Sequence, residues 1–454
     1  MVDEKPTLSL DSLLFPRLFR AFRMAIQPAK LALAFAAVTI ICLAGWIMDL
    51  NPTVITGSYT VALPRGASTE IRKNQNATEL DIYLLSNASL KNFVESREAA
   101  GGRAGVFSTL WHYGTKEFHH ALYAIFSGNV PGVIGSVGNS IKALIWVLQW
   151  HPVYTIIFFL VVFVVLSVAG GAICRIAALQ FARAERLGPK QAVQFALRRI
   201  VSLLGGPAGP VALIFVFGLP IILLGFVGNL PVVGELLTGL FLLLAFFAAC
   251  AVTITLIGTV AGLGLMSPAV ACENSDSFDA INHAFCYVYT KPWHMGFYTI
   301  VALIYGALCY IFVRFFGFLL LGTTHYFLQM GFVQHNAKLN AIWPEPTFAN
   351  FLGPAGAMPD TWHLWLAALF VRLWVLAVIG LMVSFVISFY FSANTIIYTL
   401  MRQHVDGTRL DELYTSPDEA PAGSFASETS PEAGVSEPAV EMNGGLKEGL
   451  KTSE

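Results

Sequence analysis

Charged residues are scarce in this sequence, and the short motifs that mark common reactions are missing. Only 12% of its 454 residues are Asp, Glu, Lys or Arg, and the formal net charge is -1. Such a chain lacks the concentrated basic surface that binds nucleic acid. No His-Glu-x-x-His register and no Cys-x-x-Cys pair occurs, although these are common sequence signals for a zinc site. We therefore predict no catalytic, cofactor or metal-binding residues.

The cysteines give no sign of a disulfide scaffold. The six of them are Cys42, Cys174, Cys250, Cys272, Cys286 and Cys309. They lie in the apolar runs described next, at the ends of those runs, or in the short segment between two of them. None lies in the long loops assigned to the outside below, where an oxidising environment would favour pairing.

Long apolar runs are what the sequence has in abundance. Hydrophobic residues make up 56% of the chain, and its mean hydropathy of +0.66 is typical of a membrane protein. Six runs are long enough to cross a hydrocarbon core of about 30 Å: Leu31–Met48, Val153–Ile173, Val211–Val227, Glu235–Met266, Gly296–Leu321 and Leu364–Leu400. The predicted fold class is all-α, a polytopic membrane protein with about six transmembrane helices and amphipathic interfacial elbow helices.

The segment Met266–Trp293 predicts one of these elbows, a short amphipathic helix between two runs. Asp276 is a suitable N-cap residue, and Pro292 prevents the helix from continuing. Four residues share the apolar face at the 3.6-residue period: Phe278, Ile281, Phe285 and Val288. Four others share the face expected to be solvated: Asp279, Asn282, His283 and Cys286.

A second elbow is predicted within residues 1–30, as a cytoplasmic amphipathic helix. Arg17, Arg20 and Arg23 share one helical face there, while Leu18, Phe22 and Ile26 lie on the other. A cleaved signal peptide is the competing interpretation of the first run. We favour an uncleaved helix, because the preceding segment is long and no convincing small-residue cleavage site follows.

Three segments share the pattern Ala-apolar-x-x-Ala-apolar, and each precedes a proline and an outward-going run. They are residues 21–26, 192–197 and 280–285. Coincidence in an alanine-rich chain is one explanation. The alternative is a set of parallel repeats related by an axis along the membrane normal.

Basic residues set the predicted topology. They cluster beside one set of run ends: Arg175, Arg183, Arg186, Lys190, Arg198, Arg199, Arg402 and Arg409. By the positive-inside rule, we predict a plasma-membrane protein with both termini in the cytoplasm. Residues 31–48 then form the first crossing, and residues 153–400 form a five-helix bundle. That bundle has cytoplasmic elbows near 174–206 and 267–295 and an outer loop at 322–363.

Two further regions complete the predicted organisation. Residues 49–152 form an extracytoplasmic segment with surface helices at 106–125 and 130–148, because Asn139 and Lys142 of the second helix would otherwise lie in lipid. Residues 401–454 form an acidic, disordered cytoplasmic tail, because they are too poor in aromatic residues to bury a core.

Three stretches around the elbow at Met266–Trp293 carry a resemblance: Ser267–Glu273, Ser277–Ile281 and Tyr287–Trp293. Together they resemble a signature of uncharacterised bacterial polytopic membrane proteins, such as those common in planctomycetes. The layout is also similar, more weakly, to elbow-helix membrane domains such as the glycerophosphodiesterase membrane domain. No phosphodiesterase catalytic domain is present, so the resemblance implies a topology and no activity.

Ionisable residues in the outer half of the runs are the candidate site. Arg372, Arg314 and Glu235 are candidates for contact with an anion or a lipid headgroup, as a buried ion pair with a spare cation. The alternative is that Arg372 reaches the interface along its own stem, since its run has surplus length.

Two weaker metal-binding patterns have ordinary explanations. His112, Glu117, His119 and His120 share one predicted helix, but their spacing is not a zinc register. Cys272, Cys286 and His283 lie near the elbow, but no Cys-x-x-Cys pair accompanies them, and the polar face of a surface helix is a sufficient explanation.

Three classes of function fit this sequence. A non-enzymatic membrane scaffold or assembly module is favoured, with the lipid bilayer, other membrane proteins or a second copy as partners. A transporter or lipid-handling protein is the alternative, and it requires a polar cavity at mid-depth. An intramembrane enzyme ranks last, because no nucleophile with a base stands in neighbouring runs.

Overall fold

The computed structural model describes residues 15–65, 68–85, 87–97, 102–332, 336–348, 350–352 and 361–409. The first 14 residues and the predicted disordered tail beyond residue 409 lie outside this part. The tail was predicted from residue 401, but residues 401–405 are helical, and Arg402 pairs with Glu273. Fourteen α-helices are present among the described residues: α1 Arg20–Ala25, α2 Pro28–Met48, α3 Glu79–Leu85, α4 Asn87–Arg97, α5 Val106–Phe126, α6 Val130–Trp150, α7 Pro152–Arg183, α8 Pro189–Arg198, α9 Ile200–Gly228, α10 Val233–Glu273, α11 Ser277–Thr290, α12 Pro292–Gly331, α13 Asn336–Ile342 and α14 Trp362–Val405. A 3-10 helix, Phe15–Phe19, precedes α1.

Seven of these helices are long and apolar enough to cross a membrane: α2, α6, α7, α9, α10, α12 and α14. Each of the six predicted runs falls within one of them. The predicted all-α polytopic class is therefore confirmed, and the chain is a multi-pass membrane protein. The six cysteines are free thiols.

The seventh helix, α6, was predicted to lie on the outer surface together with α5. Helix α5 packs along the bundle instead, since Phe107 contacts Phe158 of α7 and Phe118 contacts Tyr310 of α12. Helix α6 packs against α5, and its predicted position on the outer surface stays a prediction. Leu122 of α5 is buried in the main core. Lys142 of α6 is exposed, and its long stem would let the charge reach the interface if this helix crosses the membrane.

Three units of the same element order make up the bundle. Each has a short elbow helix (α1, α8 or α11), an ascending helix (α2, α9 or α12) and a descending helix (α7, α10 or α14). We call the end with the elbow helices the elbow end and the opposite end the sheet end. Elbow α8 packs against α7, α11 against α10, and α1 against α14, which closes a ring. The three descending helices also pack against one another.

The alanines of the repeated pattern explain how the elbows pack. Both alanines in each of the three segments are 0% exposed: Ala21, Ala25, Ala192, Ala196, Ala280 and Ala284. In α10, Gly262 faces Ala284 and Gly258 faces the Phe285 ring, so the two helices approach closely. Equivalent burial at equivalent positions favours a structural repeat over coincidence.

The predicted elbow around α11 forms, but its buried face is shifted. The helix begins after Asp276, and its buried residues are Ala280, Ile281, Ala284, Tyr287 and Val288. Phe278, which we predicted on the apolar face, is 83% exposed, and Phe285 is half-buried. The small alanines permit the closest approach to α10, so they define the centre of the contact rather than the large phenylalanines.

A small three-stranded sheet was not predicted. Strands β1 Val54–Arg65, β2 Ser68–Thr78 and β3 Gly102–Ala104 pair antiparallel in the order β2-β1-β3. The sheet packs with α3, α4 and the end of α6 around a separate core that includes Leu80, Ile82 and Trp146. It forms a compact cap at the sheet end, next to the start of α7.

Candidate functional site

A cavity of about 690 Å³ lies between α5, α12, α14 and the chain segment at residues 350–352. It is at mid-length of α12, since Arg314 lies about 33 Å along the helix from Pro292 and about 26 Å from Gly331. Helices α12 and α14 are long and apolar enough to cross a membrane. The cavity therefore lies at a membrane depth where polar groups are costly and usually functional.

Arg314 is held in the cavity wall by groups from its own helix and from the connection between α12 and α14. It is 8% exposed. Its Nη2 donates to the Phe348 carbonyl at 2.7 Å, and its Nη1 donates to the Tyr310 hydroxyl at 3.3 Å. The Phe348 and Phe351 rings lie 5.2 and 4.9 Å from the guanidinium carbon. Stacking and hydrogen bonds of this kind fix the plane of the guanidinium.

The connection that carries these rings reaches deep into the bundle. The His325 Nε2 atom lies 3.2 Å from the Trp343 carbonyl, which anchors the connection to α12. A turn between Thr347 and Asn350 is closed by two backbone hydrogen bonds of 3.0 and 3.1 Å. Irregular backbone is tolerated at membrane depth only where protein or water covers it, so this segment belongs to the cavity wall.

Helix α5 brings further basic side chains to the opposite wall. His112, Lys116 and His119 line the cavity and recur at i, i+4 and i+7, which places them on one helical face. Among the described residues that line the cavity, none is acidic. The cavity therefore has a positive character, because Arg314 and Lys116 are cations at neutral pH.

His119 presents a ring nitrogen without a partner. Its Nδ1 lies 2.6 Å from the Thr115 carbonyl, which can only accept, so Nδ1 carries a proton. Its Nε2 is buried and has no hydrogen-bond partner within the described part of the chain. Such an atom accepts from a ligand donor when neutral and donates to an anion when protonated.

The rest of the wall is apolar. Ile379, Met382, Val383 and Val386 of α14 form one side. The Trp111 and Phe118 rings also line the cavity and are 39% and 41% exposed. Arginine, lysine and histidine beside apolar walls match a ligand that has an anionic group and an apolar part.

The three predicted site residues do not come together. Arg314 lines the cavity, whereas Arg372 and Glu235 are exposed and do not line it. Gly317, near Arg314, faces Met382 of α14, and Arg372 lies about 15 Å from Met382 toward the sheet end. The predicted buried ion pair with a spare cation is therefore absent from the described residues.

Arg314 is also nearer the elbow end than predicted. Phe312 contacts Phe22, which belongs to the first elbow. The reason is that the first turns of α12 lie past the first elbow, level with the last turns of α14. There the Tyr298 hydroxyl lies 2.9 Å from His404 Nε2. Counting residues from the start of the apolar run therefore placed Arg314 too far toward the sheet end.

The weaker metal-binding patterns are not assembled either. Only Glu273, Asp279 and His283 bring three candidate ligand atoms within 4.8 Å of one another among the described residues. His112 and His119 face the cavity, while Glu117 is buried and hydrogen-bonds Tyr113. Cys272 is fully buried, and Cys286 lies beside Thr290.

A polar network at the elbow end is the second cluster of functional groups. Glu273, the last residue of α10, accepts from the Tyr398 hydroxyl at 2.6 Å and pairs with Arg402 Nε at 2.9 Å. Tyr287 donates to the Asp406 carboxylate. Burial, followed by that hydrogen bond, raises the pKa of Tyr287, so its hydroxyl stays a donor at physiological pH. The network joins α10, α11 and α14.

No protein family, curated protein or solved structure matches the chain. The resemblance to bacterial membrane proteins and to elbow-helix membrane domains therefore stays a prediction. The class that the fold and the site define is a multi-pass membrane protein with a positively charged cavity between its helices.

Proposed function

We propose that this protein is a lipid-handling membrane protein that binds the anionic headgroup of a lipid in the Arg314 cavity. The observation that carries this function is the cavity itself, which combines Arg314, Lys116 and His119 with apolar walls at mid-length of α12. A lipid-handling protein or transporter requires such a cavity, whereas a scaffold does not. This function is the sequence-based alternative rather than the scaffold that the sequence favoured.

The headgroup fits the cavity by charge and by geometry. A phosphate group is attracted by the positive charge of Arg314, whose guanidinium is held in a fixed plane in the cavity wall by the Phe348 and Phe351 rings. Burial lowers the pKa of His119, so its neutral Nε2 accepts a hydrogen bond and suits a hydroxyl group of the lipid headgroup rather than the phosphate itself. The α14 side of the cavity offers aliphatic contact to the acyl chains, which favours a lipid over a small soluble anion.

Lipid binding by variants of Arg314 tests this function. The delipidated protein is titrated with phosphatidylglycerol and with phosphatidylcholine of the same acyl chains, and bound lipid is counted by native mass spectrometry. We expect phosphatidylglycerol to be preferred and Arg314→Gln to weaken its binding by about tenfold or more, since a charge-assisted hydrogen bond contributes about 1.5–3 kcal/mol. Arg372→Gln, the matched control at an exposed site, should bind like wild type.

Two further measurements separate the alternatives. Arg314→Gln also removes the bond to Phe348, so Lys116→Gln is included because Lys116 is exposed and its replacement should leave the melting temperature unchanged. We expect a smaller but measurable loss of phosphatidylglycerol binding. Glycerol phosphate, which has no acyl chains, is titrated in the same way. Weaker binding of glycerol phosphate than of phosphatidylglycerol would indicate a lipid, and equal binding would indicate a ligand recognised by its headgroup alone. Equal binding of both lipids, or equal binding by all variants, would contradict the proposed function.

The orientation that we propose has the elbow end and both termini in the cytoplasm, with the protein in a bacterial plasma membrane. Arg183, Arg186, Lys190, Arg198 and Arg199 lie in the short connection from α7 to α9 or at its edges. Positive charge in short loops marks the cytoplasmic side, whereas the charged residues of a long segment such as 49–105 carry little weight.

Labelling of single cysteines tests the orientation. In a background with the six native cysteines replaced, Glu185→Cys at the elbow end should resist a membrane-impermeant maleimide in intact cells. Asn51→Cys, near the sheet end, should react. Both positions are exposed in the structure, so a difference in labelling reports the side of the membrane and not burial in the protein. The reverse pattern would invert the topology.

A further inference from the structure

Three ligand-type side chains meet where α10 ends and α11 begins. The Glu273 Oε2 atom lies 3.2 Å from His283 Nε2, and the Asp279 Oδ1 atom lies 3.4 Å from the same nitrogen. We propose that Glu273, Asp279 and His283 form a binding site for a divalent transition-metal ion such as Zn²⁺. This site is separate from the Arg314 cavity, and it does not depend on the proposed function.

The distances match the spacing of ligands around such an ion. Zinc is bound by histidine nitrogen and carboxylate oxygen at 2.0–2.2 Å, so neighbouring ligands of a tetrahedral ion lie about 3.3–3.6 Å apart. The two measured contacts, 3.2 and 3.4 Å, are close to this range. The ligand atoms of Glu273 and Asp279 lie within 4.8 Å of each other. Asp279 is 52% exposed, so its side chain can move toward the ion.

Local sequence and fold supply this arrangement. Asp279 and His283 are four residues apart on α11, so they point from the same helical face. Asn274, with φ of 58°, ends α10 in a left-handed conformation and turns the chain back toward α11. That turn returns Glu273 to the His283 face across a three-residue connection.

A second shell of hydrogen bonds already orients Glu273. Its Oε1 accepts from Tyr398 and lies 2.9 Å from Arg402 Nε, which leaves Oε2 directed at His283. Carboxylates that bind metal ions are usually fixed in this way by outer partners. Both outer partners come from α14, so an ion at this site would couple α10, α11 and α14.

An ion pair alone accounts less well for the two contacts. A histidine Nε2 carries at most one hydrogen, and a single hydrogen makes one good bond to one of the two carboxylates. A metal ion bound to Nε2 would instead satisfy Glu273 and Asp279 together. The nitrogen ligand also selects a transition metal over Mg²⁺ or Ca²⁺, which prefer oxygen ligands.

Zinc binding to the full-length protein tests the site. The protein is purified in detergent without a histidine tag, stripped with a chelator and titrated with Zn²⁺ in a calorimeter, and Co²⁺ is used to record the ligand-field spectrum. We expect one Zn²⁺ per chain and a melting temperature that rises with Zn²⁺ but not with Mg²⁺. His283→Gln and Asp279→Asn should each lower the affinity by about tenfold or more.

Two variants complete the design. His294→Ala removes an exposed histidine at the same end of the protein and should bind like wild type. Tyr398→Phe removes one outer hydrogen bond to Glu273 and should weaken binding by about tenfold. No saturable binding by wild type, or equal binding by wild type and His283→Gln, would overturn the metal site.

Discussion

Replacing Ala284 by leucine is expected to destabilise the protein by about 1–3 kcal/mol, the usual cost of overpacking a tight core. Ala284 is fully buried, and Gly262 of α10 faces it directly. Three additional carbon atoms have no space between these two helices. The third elbow must therefore move away from α10, or α10 must bend.

The matched control uses the same new side chain on the same helix. Asn282 is exposed on α11, so Asn282→Leu should leave the melting temperature in detergent close to that of wild type. The repeat extends the expectation to Ala25→Leu and Ala196→Leu, since both alanines are fully buried against α14 and α7. If Ala284→Leu has the same melting temperature as Asn282→Leu, the elbow does not pack as described. If only one of the three alanines is sensitive, the units are not equivalent.

The membrane-crossing helices could be predicted because hydropathy and length are local properties of the chain. Every predicted run from Leu31–Met48 to Leu364–Leu400 lies within one helix. The repeated alanine pattern was also visible, because residues four apart fall on one helical face. Its meaning depended on the partners: Gly262 opposite Ala284 could be identified only once α10 and α11 were paired.

The cavity could not be predicted, because its walls come from three distant parts of the chain. Arg314 was singled out from its position in an apolar run, but His119 and Phe348 join it only through tertiary packing. The spacing of His112, Lys116 and His119 at i, i+4 and i+7 was an available signal of one basic face. We instead weighed His112 and His119 as metal ligands together with Glu117 and His120.

The sheet and the elbow network were missed for different reasons. The segment from Val54 to Thr78 is mixed and charged in sequence, and the signal that could have indicated strands is the period of two among its β-branched residues. His283 was assigned to a solvated face, yet it lies between Glu273 and Asp279. The Asp279-to-His283 spacing of four was visible, but Glu273 belongs to another helix, and only the turn at Asn274 brings it near.

Replacing Arg175 by alanine should have the largest effect of any single substitution considered, a loss of about 3–5 kcal/mol. The sequence assigned Arg175 to the basic residues of the cytoplasmic side, but its side chain is fully buried. Its Nη1 donates to the Ala271 carbonyl at 2.7 Å, and its guanidinium carbon lies 4.8 Å from the centre of the Phe195 ring. One side chain thus connects α7, α8 and α10.

The Ala271 carbonyl explains why a cation is needed there. It lies in the last turn of α10, where carbonyl groups lack partners within the helix and the helix dipole is negative. Arg175→Ala would leave that carbonyl buried without its donor and would open a cavity beside Phe195. Arg175→Lys keeps the charge but loses the planar stacking, so its stability should be intermediate.

Melting in detergent and the amount of protein in the membrane both measure this effect. The control is Arg183→Ala, the same change two turns farther along α7, where the side chain is exposed and an interaction contributes about 1 kcal/mol or less. We expect the order of stability to be wild type, Arg183→Ala, Arg175→Lys and Arg175→Ala. Equal melting of Arg175→Ala and Arg183→Ala would mean that the descending helices associate without the arginine, through their small apolar residues alone.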